Sequence, residues 1–411
     1  MRKSIIANHA KDKVLKNNIF KIADRANKMK KEHDDIIDAT LGMLTHENGK
    51  VFKYSAIDYL LKNFTDKHYY PYAPFAGTRQ FREGVMNWVF GKHLNNIKET
   101  FHTKVIPTAG GTGAISNTVY NFNNYNEKIL IPNYFWPAYE NIADESNVKL
   151  EKYDMYDENH DFNIKGFKES AIKLAKEQDK LFVVINDPCN NPTGLELGEE
   201  NWEKVVMVLN EISSNKVPVV LLLDIAYIDY EKDGYDSSRE LFKHIINLHE
   251  EILTVISFSA SKSFSIYGLR LGAQIGLSKK KKIINEFTRV NEHSLRARFS
   301  NVNHPAMRAV GKIFTITKYR ESYIKELELA RELLKKRADE FTRIAQEENL
   351  DILPYGGGFF IAIETNKENI FEKLIEEHIF VIAFPGLIRI AISSLQFSQM
   401  EKLVRALKKH V

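Results

Sequence analysis

The sequence predicts an α/β protein, with a mostly parallel sheet flanked by helices and a smaller α+β unit joined to it. Three observations lead there. Short apolar runs alternate with helix-like segments through the middle of the chain, the pattern of a parallel sheet covered on both faces. Several of those runs end in a cluster of polar side chains. The C-terminal third then changes character, with a long charged helical stretch followed by glycine-rich and β-like segments.

The apolar runs cover residues 128–132, 181–185, 219–223, 252–258 and 274–277. Each is too short to read as a helix and is apolar without alternation, as a strand buried on both faces must be. Helical spacing covers 112–120, 164–177, 199–213 and 237–248. The run Lys279-Lys-Lys-Lys282 opens an amphipathic stretch over 283–290 and reads as a solvated helix start, with an anion patch as the other reading. In the last third, 324–347 reads as a long helix, 353–364 as a strand with a glycine-rich entry, and 380–384 and 388–392 as strands around Pro385-Gly386. An amphipathic helix over 397–409 ends the chain, and the first ~45 residues read as polar and helical.

Composition narrows the function classes. The chain has 411 residues, 44% hydrophobic and 11% aromatic, enough for a large core in one or two domains. A net charge of +4 gives no reason to expect nucleic-acid binding. The single cysteine, Cys189, excludes a disulfide framework and a cysteine zinc cluster. The start of the chain does not read as a signal peptide, and the most apolar stretch, 217–223, is interrupted by Pro218 and stopped by Asp224. That is far short of the ~20 residues that cross a bilayer. The expectation is a soluble cytoplasmic protein. The 13 histidines show no metal-binding spacing, so no metal is expected.

The polar strand ends carry the chemistry. Ser259-Ala-Ser-Lys262 places a lysine just after a strand among hydroxyls. Burial lowers a lysine pKa and makes the amine a usable nucleophile. Asn190-Asn-Pro-Thr-Gly194 forms a turn that can present the Asn191 amide, and Asp224-Ile-Ala-Tyr227 puts a carboxylate and a phenol at another strand end. Thr108-Ala-Gly-Gly-Thr-Gly-Ala114 leaves free amides at a helix start, a ready phosphate site. It fits neither a P-loop nor a dinucleotide fingerprint. Ligands bind beyond the carboxyl ends of the strands in open α/β sheets, so these motifs look like one site.

Taken together, in this order along the chain, these motifs resemble the pyridoxal-phosphate-dependent aminotransferases of the aspartate/aromatic type, a fold-type-I family. The resemblance runs from about Asp38-Ala-Thr-Leu-Gly42 to the C-terminus. It implies a seven-stranded sheet, the cofactor pyridoxal 5′-phosphate, and a homodimer with shared active sites. It implies an N-terminal arm with part of the small domain over 1–48, a large cofactor-binding domain over 49–300 and a small C-terminal domain over 301–411. Lys262 would form the Schiff base and move the proton. Asp224 would pair with the pyridine nitrogen, Tyr227 and Asn191 would bond the ring hydroxyl, and Trp136 would stack on the ring. Gly111, Thr112, Ser259, Ser261 and Arg270 would hold the phosphate, and Tyr72 would reach the phosphate of the neighbouring subunit. Arg389 would bind the substrate α-carboxylate, with Gly42, Asn191 and Trp136 also lining the substrate position. Arg296, or Arg298 in its place, would read a distal carboxylate across the dimer.

The implied reaction is transfer of an amino group from an L-amino acid to a 2-oxo acid such as 2-oxoglutarate, in ping-pong fashion. Aspartate is the first substrate expected, and the aromatics near the motifs leave room for aromatic amino acids. A β-lyase on the same scaffold is the alternative. A non-catalytic effector domain would need a winged helix, for which the first ~40 residues are too few. The chain also departs from the aspartate enzymes. Ala138-Tyr139 stands where they have Asn-His, so the surroundings of Asp224 differ. Gly268-Leu-Arg270 and Asp187-Pro-Cys-Asn190 differ too. Cys189 adjoins the site and reads as a small buried residue.

Overall fold

The protein is described by a computed structural model covering residues 5–11, 13–15, 19–367 and 369–411. A seven-stranded sheet forms its centre. In chain order the strands are β1 (His102–Thr108), β2 (Lys128–Pro132), β3 (Lys149–Tyr153), β4 (Leu181–Asn186), β5 (Val219–Asp224), β6 (Ile252–Ser259) and β7 (Gly272–Ser278). Their spatial order is β1-β7-β6-β5-β4-β2-β3. All pairings are parallel except those of β7, which runs antiparallel to both neighbours.

The central strands are apolar on both faces because both faces are covered. In β4 and β5, Leu181, Val183, Ile185, Leu221 and Leu223 enter one core, while Phe182, Val184, Val220 and Leu222 enter a second core on the opposite face. Period-two alternation thus distributes one apolar run between two cores. The register aligns Asn186, Asp224 and Ser257 across the carboxyl ends of β4, β5 and β6. It also aligns Ser259, Gly272 and Thr108 across β6, β7 and β1. The polar strand ends therefore form one row.

A third core belongs to the last third of the chain. The helix Thr317–Glu347, the strands β8 (Phe360–Glu364) and β10 (Leu387–Ala391), and the helix Phe397–His410 supply it, joined by Ile37 and Ala39 from the N-terminal region, while β9 (Ile382–Phe384) pairs along its edge. The sheet order is β9-β8 on either side of β10, all antiparallel. The two-residue strand Ile37–Asp38 pairs in parallel with Ile379–Phe380. Both ends of the chain thus meet in this unit. The expected polar, helical start falls partly outside the described residues; among those described, Ile19–Met29 is helical.

Three expectations are corrected. The stretch 237–248 is not one helix but a short turn, Ser237–Arg239, and a five-residue helix, Leu241–Ile245. Ser238 donates to the Ile228 carbonyl at 2.6 Å and Arg239 to the same oxygen at 3.0 Å. Side chains that bond distant backbone compete with continuing the helix. The strand expected over 353–364 begins only at Phe360, because Gly357 and Gly358 take φ of +146° and +82°. Here the chain passes residues 230–231 so closely that a Cβ at Gly357 would lie 2.6 Å from the Tyr230 carbonyl oxygen. The run 380–384 is split, since the N-terminal segment claims its first half through Ile37 and Ala39 amides donating to the His378 and Phe380 carbonyls. Strands β1 and β3, with few apolar residues, carry no run that identifies them in the sequence.

Gly272 allows the tightest of these approaches. A Cβ there would lie 2.5 Å from the Gly110 carbonyl carbon and 2.6 Å from the Phe258 oxygen. Gly272→Ala should therefore lower stability by about 1–3 kcal/mol, the scale of overpacking in a rigid core. The midpoint of urea unfolding measures it, and an unchanged midpoint would contradict the close approach.

Candidate active site

The Lys262 turn lies where β6 ends. Ser259 leads into the four-residue helix Ala260–Ser263, with the Ala260 amide donating to the Leu271 carbonyl. Buried phenols hold the turn's carbonyls: Tyr230 donates to Lys262 O at 3.0 Å and Tyr323 to Ser263 O at 2.7 Å. Tyr54 and Tyr230 share a hydrogen bond of 2.8 Å behind them. The Lys262 amine donates to the Gly42 carbonyl at 2.7 Å. Burial, then Arg389 and Arg270, lower its pKa to about 7, against the opposing pull of Asp224. A large share of these amines is neutral near pH 7.

Asp224 is buried at the end of β5. Tyr139 donates to its Oδ2 at 2.7 Å and the Ala226 amide to its Oδ1 at 3.2 Å. Burial outweighs these donors and raises the carboxyl to about 6. Asn186, one strand over, donates its Nδ2 to the Asp224 carbonyl and accepts the Asn191 amide at 2.8 Å. Tyr227 is buried, its hydroxyl pushed far up by desolvation, and the Lys262 amine lies 5.4 Å from its ring. Trp136 stands edge-on to Tyr139 with ring centroids 5.5 Å apart.

Gly111 lies in the first turn of the helix Gly110–Asn121 after β1. Its carbonyl accepts the Ser257 hydroxyl, and a Cβ on it would lie 3.2 Å from the Ser259 Cβ. At Gly110 a Cβ would meet Arg270 Nη2 at 2.5 Å. Arg270, itself at φ +51°, donates to the Ser261 hydroxyl at 2.9 Å. Thr112 is half-buried in the first turn of the same helix. Five of the expected phosphate residues therefore converge on one glycine-lined helix start with a guanidinium beside it.

Arg389 points from β10 toward the same region. It is 2% exposed and donates Nη1 to Asn191 Oδ1 at 3.1 Å and Nη2 to the Thr40 carbonyl. Its guanidinium lies 4.2 Å from the Phe360 ring centroid, and its Nε is buried without a partner among the described residues. A Cβ on Gly42 would be 2.5 Å from the same Phe360 ring.

Tyr72, Arg296 and Arg298 are not among these buried groups. Tyr72 is 88% exposed. Arg296 donates to Ser300 at 2.6 Å, and Asn301 of the same segment donates to the Ala73 carbonyl, so the two stretches share one outer surface. Arg298 is engaged within its own chain by Asn117 at 3.0 Å and the Tyr120 ring at 4.3 Å. Cys189 is buried at φ +62° against Gly357 and Gly358. No linear spacing joins Asn186, Tyr54, Tyr230 and Tyr323 to Lys262, so sequence reasoning missed them. Among the described residues one group has donors close enough for a metal, His33, Asp35 and His378, far from these motifs in the sequence. There Asp35 pairs with Lys402 and His378 at 2.7 Å each. No described helix is long and apolar enough to cross a membrane.

A half-buried lysine at a strand end, a buried acid and phenol beside it, and a glycine-lined anion cradle define an amine-handling α/β enzyme. The family model for class I and II aminotransferases matches residues 47–407, and the chain belongs to that family. The fold agrees. A crystal structure of an aminotransferase from Anaerococcus prevotii superposes with a TM-score of 0.94 at 31% identity, covering 99% of both chains. Among characterised relatives, the aspartate aminotransferase of Salmonella typhi is 25% identical over 80% of this chain and 79% of its own. The aromatic-amino-acid aminotransferase of Paracoccus denitrificans is 24% identical over 82% of each. The protein is an aminotransferase, and its cofactor is pyridoxal 5′-phosphate.

The site fits that cofactor. The space at Gly110 that a Cβ would fill opens onto Arg270, suited to a phosphate. Asp224 is a buried acid whose donors among the described residues, Tyr139 and the Ala226 amide, are neutral, suited to a protonated ring nitrogen. Covalent uptake of the cofactor by cofactor-free protein needs the neutral Lys262 amine, the form that gains as pH rises past a lowered pKa. Its rate should climb through about pH 7 and level off above. Stopped-flow absorbance from pH 5.5 to 9 reads this, and a rate still climbing at pH 9 would place the amine at an ordinary lysine value.

Proposed function

We propose that the protein moves the amino group of an L-amino acid, aspartate first, to a 2-oxo acid such as 2-oxoglutarate by a ping-pong mechanism, as a homodimer with shared sites. One observation carries the reading: the Lys262 amine, its pKa lowered to about 7, and the buried Arg389 guanidinium with an unpaired Nε face the same strand-end row. When bound, the cofactor supplies a carbonyl that condenses with amines, an electron-accepting ring, and a place to hold an amino group between two substrates.

The chain's own residues do the rest. Lys262 is the nucleophile that anchors the cofactor and, once released, the base that carries a proton to and from the substrate Cα. Asp224 keeps the ring nitrogen protonated, while Tyr227 and Asn191 orient the ring edge and Trp136 covers its face. Gly111, Thr112, Ser259, Ser261 and Arg270 bind the phosphate, and Tyr72 completes that site from the other subunit. Arg389 takes the α-carboxylate, its free Nε supplying a donor that the protein leaves unused. Gly42 and Asn191 flank that carboxylate. Arg296, exposed and bonded to Ser300, is the better placed arginine to read a distal carboxylate across the dimer, because Arg298 is already held by Asn117 and Tyr120. The exposed surface bearing Tyr69, Tyr70, Tyr72 and Phe75 is the face offered to the second subunit. The aspartate and aromatic enzymes among the relatives support these substrate classes, and the bacterial relatives support a cytoplasmic setting. The domain limits 1–48, 49–300 and 301–411 belong to the same reading.

Lys262→Ala should abolish turnover and the visible absorbance of bound cofactor; a variant that keeps the band refutes the anchor. Release of pyruvate and ammonia without an added keto acid would instead identify a β-lyase. Arg296→Leu should lower kcat/KM for aspartate about tenfold to a hundredfold, the scale of a lost charge-assisted contact. Phenylalanine should suffer much less, and equal losses would remove Arg296 from that role.

A further inference from the structure

Two residues that grip the cofactor ring share one neighbour. Tyr139 sits in the helix Ala138–Glu145, 2% exposed, three residues after Trp136. Its hydroxyl donates to Asp224 Oδ2 at 2.7 Å, and its ring meets the Trp136 indole edge to face at 81°. Phe135 lies roughly parallel to the same ring at 6.5 Å and closes its other side. Nothing in the transfer chemistry requires a tyrosine here. We infer that Tyr139 is a positioning residue that holds Asp224 as a carboxylate through one neutral hydrogen bond and, with the same side chain, fixes the plane of Trp136.

The inference rests on the proposed role of Asp224 and Trp136 at the cofactor. The groups facing Asp224 are Tyr139, the Ala226 amide, Lys262 and the Tyr227 phenol. Of these only Lys262 carries charge near neutral pH, and it is itself lowered to about 7. The Tyr139 hydroxyl is pushed well above its ordinary value by burial and by Asp224. It stays a proton donor at every working pH. An imidazole in its place would gain and lose a proton close to neutrality and change the field at Asp224 as it did so. The phenol removes that second titration from the immediate surroundings of Asp224.

Tyr139→Phe removes the donor and keeps the ring against Trp136. In the cofactor-free protein, carboxyl NMR should find Asp224 titrating near 6 in the wild type and about one unit higher in the variant, the shift expected for one lost hydrogen bond. In the holoenzyme the midpoint of the cofactor's absorbance titration should move up in step, and Tyr139→His should add a second titration step that the wild type lacks. Tyr139→Leu should in addition weaken the induced circular dichroism of the bound cofactor, because the edge contact to Trp136 is lost, whereas Tyr139→Phe should leave that signal intact. An Asp224 titration unchanged in Tyr139→Phe overturns the inference. That measurement needs no cofactor, so it is decided separately from the aminotransferase reading, which fails instead if the wild type acquires no visible band with pyridoxal phosphate.

Discussion

Much of the architecture answers to one buried amine. A lysine ammonium moved out of water is costly unless something compensates it. At Lys262 the compensation is incomplete by construction. Asp224 attracts the charge, two guanidinium groups repel it, and burial works against it. The amine therefore sits close to neutral, where it is useful as a nucleophile and as a base. Its hydrogen bond to the Gly42 carbonyl suits a neutral amine as well as a charged one. Holding such a group still requires that the backbone around it leave no carbonyl unpaired. Tyr54, Tyr230 and Tyr323 serve that end, giving up three buried hydroxyls to the turn and to one another.

The sheet does the aligning. Parallel strands in register bring side chains from distant parts of the sequence to one edge, and here that edge holds Asn186, Asp224 and Ser257 side by side. The antiparallel β7 then returns the chain beside β1, so the glycine turn before the helix Gly110–Asn121 and the left-handed Arg270 meet. That approach is possible only because Gly110 and Gly272 lack a Cβ. The anion cradle is thus a consequence of strand order and of two missing side chains, with Arg270 as the charge that gives it sign.

The parts legible in the sequence were those written in local pattern. Apolar runs marked the five central strands, and the residues just past them marked the strand-end site. Arg389 stood out as a lone charge inside the apolar run 388–392, and its contacts with Asn191, Thr40 and Phe360 account for a buried charge there. What stayed hidden depends on partners far away in the chain. The split of 380–384 is decided by residues 37–39, and the interruption of 237–248 by the carbonyl of Ile228. Tyr139 was visible as an unusual residue but not as a donor, because its acceptor lies 85 residues on.

The N-terminal segment links the two arms of the site. Within three residues it offers the Thr40 carbonyl to Arg389 and the Gly42 carbonyl to Lys262. An α-amino acid carries its amine and its carboxylate on the same carbon, so a substrate held by Arg389 brings its amine to where Lys262 acts. Both backbone carbonyls then occupy donors that the substrate or cofactor would use. On this reading the segment 40–42 acts as a stand-in that gives the Lys262 amine and the Arg389 guanidinium an acceptor each, and binding replaces backbone oxygens with ligand ones. Exchanging one acceptor for another costs little, whereas binding to an unpaired buried cation would first require a site too unfavourable to fold. Phe360, packed against Gly42 on one side and under the Arg389 guanidinium on the other, ties the segment's position to that of the arginine. A shift of either is therefore felt by both the amine and the carboxylate ends of the site.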